Sequence, residues 1–323
     1  MQIPVVARAN HLLTSGAVAD AVAVLEAAAH RGDVDASMQL AVWYLTDQAI
    51  PRDLPKAREM LRRTVALGHV DAALMEIALT ANGSGAAPDW SSALSLLRRA
   101  AHNDPVAAGQ LALLKAMDLD PRGGPNDLPP AEILSDRPDV KRFPKLLTPA
   151  ECAHLAQVAS TMLEPARVID PRTGQWIAHP IRTSDGAAIG PAREDLVVRA
   201  LNRRIAAISG TDIDQGEPLT ILRYRPGQQY RLHLDAIQDA ENQRMATALV
   251  YLNEGYGGGE THFPAAGLTV TPRGGDVILF ANTAADGKAD PLSRHAGLPV
   301  SRGVKWLATR WIRVGPIDPW AIR

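Results

Sequence analysis

The chain contains one cysteine, Cys152, so it can form neither an intrachain disulfide framework nor a thiolate metal cluster. An excess of one charge is also missing. Its 34 Lys and Arg stand against 35 Asp and Glu, a net charge of −1 that leaves no electrostatic footprint for nucleic acid or an acidic membrane. No apolar run approaches the roughly 18 residues that span a bilayer. The opening MQIPVVARANHLLTSG lacks the basic start and long apolar core of a signal peptide. These absences predict a soluble cytoplasmic protein with no nucleic-acid or membrane partner. Aromatic residues are scarce at 4 %, and only Trp43, Tyr44 and Trp90 precede residue 142. At 323 residues there is room for two domains. The contrast predicts an alanine-rich helical half followed by a β-rich half, an α+β protein overall.

What is present in the first half is a period. Ala21, Ala57 and Ala93 are 36 residues apart, as are Leu25, Leu61 and Leu97, and Ala36, Ala72 and Ala108. Gly32 and Gly68 follow the same step, with Asp104 at the third position. A fixed period in this range marks stacked helix pairs, small residues recurring where helices approach closely and glycine where a helix ends. VADAVAVLEAAAHRG and PKAREMLRRTVALG read as the second helices of successive units. The pattern resembles tetratricopeptide-like (Sel-one-like) repeats over roughly residues 5–117, a helical repeat domain of 1–117. Such arrays form surfaces that hold a peptide or protein; the alternative is that this one only packs against the second half.

Residues 118–140 carry five prolines and Gly123-Gly124, and read as a linker before a domain spanning 141–323. Thr148, Pro149 and Glu151 predict a capped helix start, the helix running to about Leu163. Val197, Leu201, Ile205 and Ile208 predict a second helix ending at Gly210. After Pro218 the pattern turns to short β-type runs: LTILRY, YRLHLD, MATALVYLN, GLTV, DVILFAN and VKWLATRWIRV. Turn residues separate them, as in a small barrel or jelly roll.

One of those runs holds His233-Leu234-Asp235, with His295 sixty residues beyond the aspartate and Lys305 ten further on. On a strand, residues i and i+2 share a face, so His233 and Asp235 can reach one ion together. Two imidazoles and one carboxylate bind one face of Fe(II) and leave the opposite positions open, as non-haem iron oxygenases require. If VKWLATRWIRV is one strand, Lys305, Leu307, Thr309 and Trp311 share a face. Lysine is rare here, six of the 34 basic side chains.

The stretch from about Val140 to Arg313 resembles the prolyl 4-hydroxylase-like 2-oxoglutarate/Fe(II) dioxygenases. The likeness runs through YRPGQQYRLHLD (Tyr224–Asp235), Arg244-Met245-Ala246-Thr247, Tyr251-Leu252-Asn253, GGETHFP (Gly258–Pro264) and SRHAGLPVSRGVKWLATRW (Ser293–Trp311). It implies a double-stranded β-helix (jelly-roll) core with flanking helices, and His233, Asp235 and His295 as catalytic iron ligands. It implies 2-oxoglutarate and O2 as co-substrates, with ascorbate in support. Lys305 matches the lysine that takes the distal carboxylate of 2-oxoglutarate, and a flexible ammonium suits a narrow barrel end. The other reading is a solvated lysine on a sheet edge. Tyr224, Thr261 and Thr309 are expected in the same pocket, with a core role as the alternative for Tyr224. Arg244 and Trp311 match residues facing substrate. The segment 168–185 corresponds to a loop that closes over substrate, and Trp176 and Arg182 are expected to touch substrate or simply to pack the loop. His262 is expected to be exposed or behind the ligands, and His179 and His69 to be ordinary polar residues.

The implied reaction couples oxidative decarboxylation of 2-oxoglutarate, giving succinate and CO2, to hydroxylation of an unactivated C–H. Related halogenases replace the carboxylate ligand with a small residue, so an intact Asp235 argues for hydroxylation. The expected substrate is a prolyl or other residue of a peptide or protein held by the repeats. Two alternatives stand: a free amino acid or small metabolite, and a catalytically silent scaffold. Loss of ligands would mark the scaffold, and here all three ligands and Lys305 are present.

Overall fold

The 36-residue period becomes seven helices, successive ones packed on each other, in a computed structural model that describes residues 4–169, 172, 175–271 and 273–321. They are α1 (Val5–Thr14), α2 (Val18–His30), α3 (Val34–Thr46), α4 (Leu54–Ala66), α5 (Val70–Asn82), α6 (Trp90–Ala100) and α7 (Pro105–Ala116). Leu25, Leu61 and Leu97 sit on α2, α4 and α6, the second helices of three pairs, and are fully buried, as are Ala21, Ala57 and Ala93 beside them. Caps start the helices: Asp33, Asp53, Asp89 and Asp104 each accept an N–H from the first turn, and His69 does so through Nδ1. The third turn departs from the expected step. Asp104 caps α7 as Asp33 caps α3 and His69 caps α5, so the interval shortens from 36 residues to 35. Gly32 and Gly68 carry the left-handed backbone, φ +87° and +89°, in the first two turns, whereas the third turn has no positive-φ residue. The buried alanine is therefore Ala107, and Ala108, expected in the core, is exposed.

Two compact units account for the chain, one made of residues up to Gly123 with Pro191–Arg199, the other of Gly124–Gly190 with Ala200–Arg323. Two further helices are α8 (Pro149–Ser160) and α9 (Leu196–Ser209). The expected capping box is formed: Thr148 N–H donates to Glu151 Oε2 at 2.8 Å and Glu151 N–H to Thr148 Oγ1 at 3.3 Å. Glu151 is itself buried against the Arg204 guanidinium at 3.0 Å. Helix α8 stops three residues short of Leu163, and α9 leads into Gly210 at φ +66°. No helix among the described residues is long and apolar enough to cross a membrane.

The strands are β1 (Glu132–Asp136), β2 (Asp139–Phe143), β3 (Glu164–Pro165), β4 (Arg167–Ile169), β5 (Trp176–Ala178), β6 (Asp185–Ala188), β7 (Thr220–Tyr224) and β8 (Tyr230–His233). The remaining ones are β9 (Arg244–Tyr251), β10 (Gly257–Gly258), β11 (Thr261–Phe263), β12 (Leu268–Val270), β13 (Val277–Ala281), β14 (His295–Gly297), β15 (Val300–Arg302) and β16 (Lys305–Arg313). An eight-stranded sheet runs β1-β2-β13-β9-β16-β7-β6-β3, and a four-stranded one β12-β11-β14-β8. Residues of both sheets, Leu222, Tyr251, Ile278 and Leu307 from the first and Phe263 and Val270 from the second, form one buried core. This is the double-stranded β-helix that the sequence predicts. The stretch 118–140, expected as linker, is not irregular throughout: β1 and the start of β2 form a hairpin that joins the large sheet through β13.

Candidate metal centre

Strand pairing brings the three expected ligands together. In the β8–β14 ladder His295 lies directly opposite His233, which places two side chains close on one face. Strand β8 ends at His233, so Asp235 stands two residues past it rather than on it. Its carboxylate nevertheless reaches both rings: Oδ1 is 3.5 Å from His233 Nε2 and Oδ2 is 3.7 Å from His295 Nε2. One ligand atom from each of the three falls within 4.8 Å of the others, and all three residues are buried. No other such cluster of His, Cys, Asp and Glu occurs among the described residues.

The outer contacts of the rings determine which nitrogen faces inward. His233 Nδ1 lies 2.7 Å from Arg231 O and His295 Nδ1 3.1 Å from Ser293 O. A carbonyl only accepts, so each Nδ1 carries a proton and each Nε2 is the ring nitrogen turned toward the carboxylate. Burial, together with the neighbouring His233, holds His295 down to about 4 despite Asp235, so it is neutral at pH 7. Burial would raise the Asp235 carboxyl, but His295, His233 and a Thr247 hydrogen bond keep it well below the usual carboxylate range. Two imidazole nitrogens and one carboxylate on one side of a pocket suit Fe(II), and the donor set fits that ion.

The pocket is walled by Leu222, Leu249, Leu307 and Trp311, with Tyr224, Thr261, Lys305 and Thr309 among its polar lining. Strand parity on β16 holds as expected: Lys305, Leu307, Thr309 and Trp311 all line it. Lys305 is 2 % exposed and lies opposite Tyr224 in the β16–β7 ladder. Its ammonium donates to Gly259 O at 2.7 Å and stands 5.4 and 5.3 Å from the ring centres of Tyr224 and Tyr251. Burial pushes it down to about 7, which Glu260 only partly opposes. Gly259 permits this contact, because it has φ +74° and a Cβ there would come within 3.1 Å of the Lys305 chain.

The expected substrate residues divide. Trp311 lines the pocket, its indole N–H buried without a partner among the described residues. Arg244 stacks on Trp311 at 4.1 Å, but its fork is taken by Glu217 in two 2.7 Å bonds. Arg182 lies 5.9 Å from the ring of Tyr230, which stacks on His233 at 3.5 Å, and its Nε also lacks a partner among the described residues. Trp176 begins β5; its side chain lies outside the described part of the structure, as do residues 170, 171, 173 and 174 of the expected loop. His262 is off the site, with Nδ1 2.9 Å from Thr269 Oγ1, and His69 caps α5. His179 stands nearer the site than expected, edge-on to Tyr230 at 6.1 Å.

Four residues received no site role from the sequence, although Thr247 and Tyr251 stand in the motifs quoted above. Glu217 binds Arg244 and Arg313, Tyr251 shares a 2.7 Å hydrogen bond with Thr261, and Thr247 donates to Asp235 Oδ2 at 2.7 Å with Asn282 behind it. Alternation along β9 places Thr247 and Tyr251 on the face of Leu249, a signal available from the run itself. Nothing local marks Glu217 or Asn282, whose partners are distant in the chain.

A profile of the 2OG-Fe(II) oxygenase superfamily matches residues 219–313. Prolyl 4-hydroxylase 1 of Arabidopsis thaliana is 35 % identical over 201 residues, covering 56 % of this chain and 71 % of the relative. Probable prolyl 4-hydroxylase 3 of the same plant is 36 % identical over 208 residues, covering 57 % and 72 %. Among solved structures, the viral collagen prolyl hydroxylase of Paramecium bursaria Chlorella virus-1 in its 2OG complex matches at 28 % identity with a TM-score of 0.45, over 55 % of this chain and 96 % of that one. On the extent of these sequence matches, the chain belongs to the prolyl 4-hydroxylases of the 2OG-Fe(II) oxygenase superfamily.

Proposed function

We propose that this enzyme hydroxylates a prolyl residue of a peptide or protein, consuming 2-oxoglutarate and O2 and releasing succinate and CO2. The observation that carries the proposal is the convergence of His233, Asp235 and His295 in the pocket that also holds Lys305. Fe(II), when bound there, supplies the dioxygen chemistry by which 2-oxoglutarate is oxidatively decarboxylated and one oxygen atom enters a C–H bond. His233 and His295 offer their Nε2 atoms and Asp235 one oxygen, leaving the pocket side open. Lys305, in its charged form, neutralises the distal carboxylate of 2-oxoglutarate, with Tyr224, Thr261 and Thr309 as polar neighbours. Leu222, Leu249 and Leu307 exclude water from the reacting atoms. Trp311, which lines the pocket, and Arg182, beside Tyr230, each carry an N–H without a partner among the described residues, and a peptide substrate would supply carbonyl acceptors for them. Arg244, locked by Glu217, holds Trp311 in place. The helical repeats are assigned the remainder of the protein substrate.

The test is incubation with Fe(II), ascorbate and 2-oxoglutarate, with succinate and substrate mass as readouts. Proline-rich peptides are expected to gain one oxygen and free proline none. A gain on free proline alone would move the substrate class to small molecules, and no succinate with any substrate would remove the enzymatic reading.

A further inference from the structure

Behind Asp235 stands a chain of buried polar groups. Asn282 Nδ2 donates to Thr247 Oγ1 at 2.8 Å, and Thr247 Oγ1 donates to Asp235 Oδ2 at 2.7 Å. The direction of both bonds is forced. An amide nitrogen only donates, an ionised carboxylate only accepts, and a hydroxyl has one proton to give. Neither Thr247 nor Asn282 has any exposed surface, so water does not compete for these bonds. The backbone secures Asn282 on both sides: its N–H donates to Met245 O at 2.8 Å and its carbonyl accepts from Asp290 N–H at 2.9 Å. Thr247 is held in mid-strand on β9, opposite Phe280 on one side and Trp311 on the other. Strand β9 and the residue that follows β13 thus direct one proton at one of the two carboxylate oxygens.

We propose that Thr247 and Asn282 are positioning residues that make Asp235 a one-oxygen ligand, presenting Oδ1 to the metal and withholding Oδ2. The inference rests on the metal reading above and adds what keeps the open face open. A carboxylate released from Thr247 is free to turn and grip the ion through both oxygens, filling a position that the co-substrates require. An ordinary core role would need only the shape of Thr247, which valine reproduces; the proposal needs its hydroxyl.

Mn(II) serves as the probe, titrated into the full-length protein without 2-oxoglutarate and followed by its paramagnetic resonance spectrum. Thr247→Val is expected to weaken Mn(II) binding about 10- to 100-fold and to change the spectrum of the bound ion. Thr247→Ser, which keeps the hydroxyl, is expected to restore both, and Asn282→Leu to fall between. Equal affinity and an unchanged spectrum in Thr247→Val would overturn the proposal while leaving the site intact. Failure of the unaltered protein to bind Mn(II), or undiminished binding by His295→Ala, would instead remove the metal reading. If Thr247→Val does not fold, judged by its circular dichroism, Thr247→Ala and Asn282→Leu carry the same comparison.

Discussion

The Lys305 ammonium donates to a carbonyl and forms no ion pair among the described residues, in a pocket that strips it of water and with Glu260 only partly offsetting that loss. Its folded value of about 7 against an ordinary 10.5 means the unfolded chain binds the extra proton between those limits. Stability of the unliganded protein is therefore expected to rise with pH across that window, the penalty being complete below about 7 and gone above about 10.5. Lys305→Met should flatten that slope and raise neutral-pH stability by an amount on the order of a few kcal/mol, seen as a higher melting temperature. Co-substrate affinity should move the other way. Binding the dianion needs the charged amine, so the Kd for 2-oxoglutarate should weaken by up to about tenfold per pH unit above 7. A pH-independent Kd would contradict the assignment of Lys305. At Asp235, substitution by alanine should abolish hydroxylation and, in a metal titration, lower affinity by at least about tenfold. Normal product from that variant would sink the ligand assignment.

Among the elements, β16 and the three repeat pairs carry the most consequence. Thr309 lies between Lys305 and Trp311 on the pocket face, so Thr309→Ile should raise the KM for 2-oxoglutarate while the fold survives. An unchanged KM would place Thr309 outside the co-substrate pocket. In the repeats, Leu61 is fully buried between helices, and Leu61→Ala should cost about 2–5 kcal/mol. That loss is readable as a lower midpoint in urea. Periodicity revealed these helices because every third or fourth residue faces the same neighbour. The single missing residue before α7 was invisible because Ala107 and Ala108 are both alanine, and only packing shows which of them is inside.

For the whole chain, the question is what the helical array contributes to an enzyme whose chemistry resides in the other unit. If it holds the protein substrate away from the scissile C–H, an intact protein should show a KM at least about tenfold below that of its isolated target peptide, with similar kcat. Equal KM values would leave the array with a packing role. This comparison uses the unaltered chain and needs only steady-state kinetics.

Spacing in the chain alone set His233 beside Asp235, gave β16 its pocket face and marked the helical repeat, while His295 entered only through the family resemblance. Each of the first three follows from a fixed spacing in the sequence, which dictates which side chains share a face of a strand or helix. The tertiary structure decided everything carried by long separations. His295 meets His233 only through the β8–β14 ladder, Glu217 claims the Arg244 fork across 27 residues, and Asn282 supports Thr247 across 35. It also showed Asp235 beyond its strand and the hairpin of β1 and β2 inside the supposed linker. Such contacts follow from how strands pair and bury their polar ends, and that is settled by the competition of the whole chain for partners, not by any local pattern.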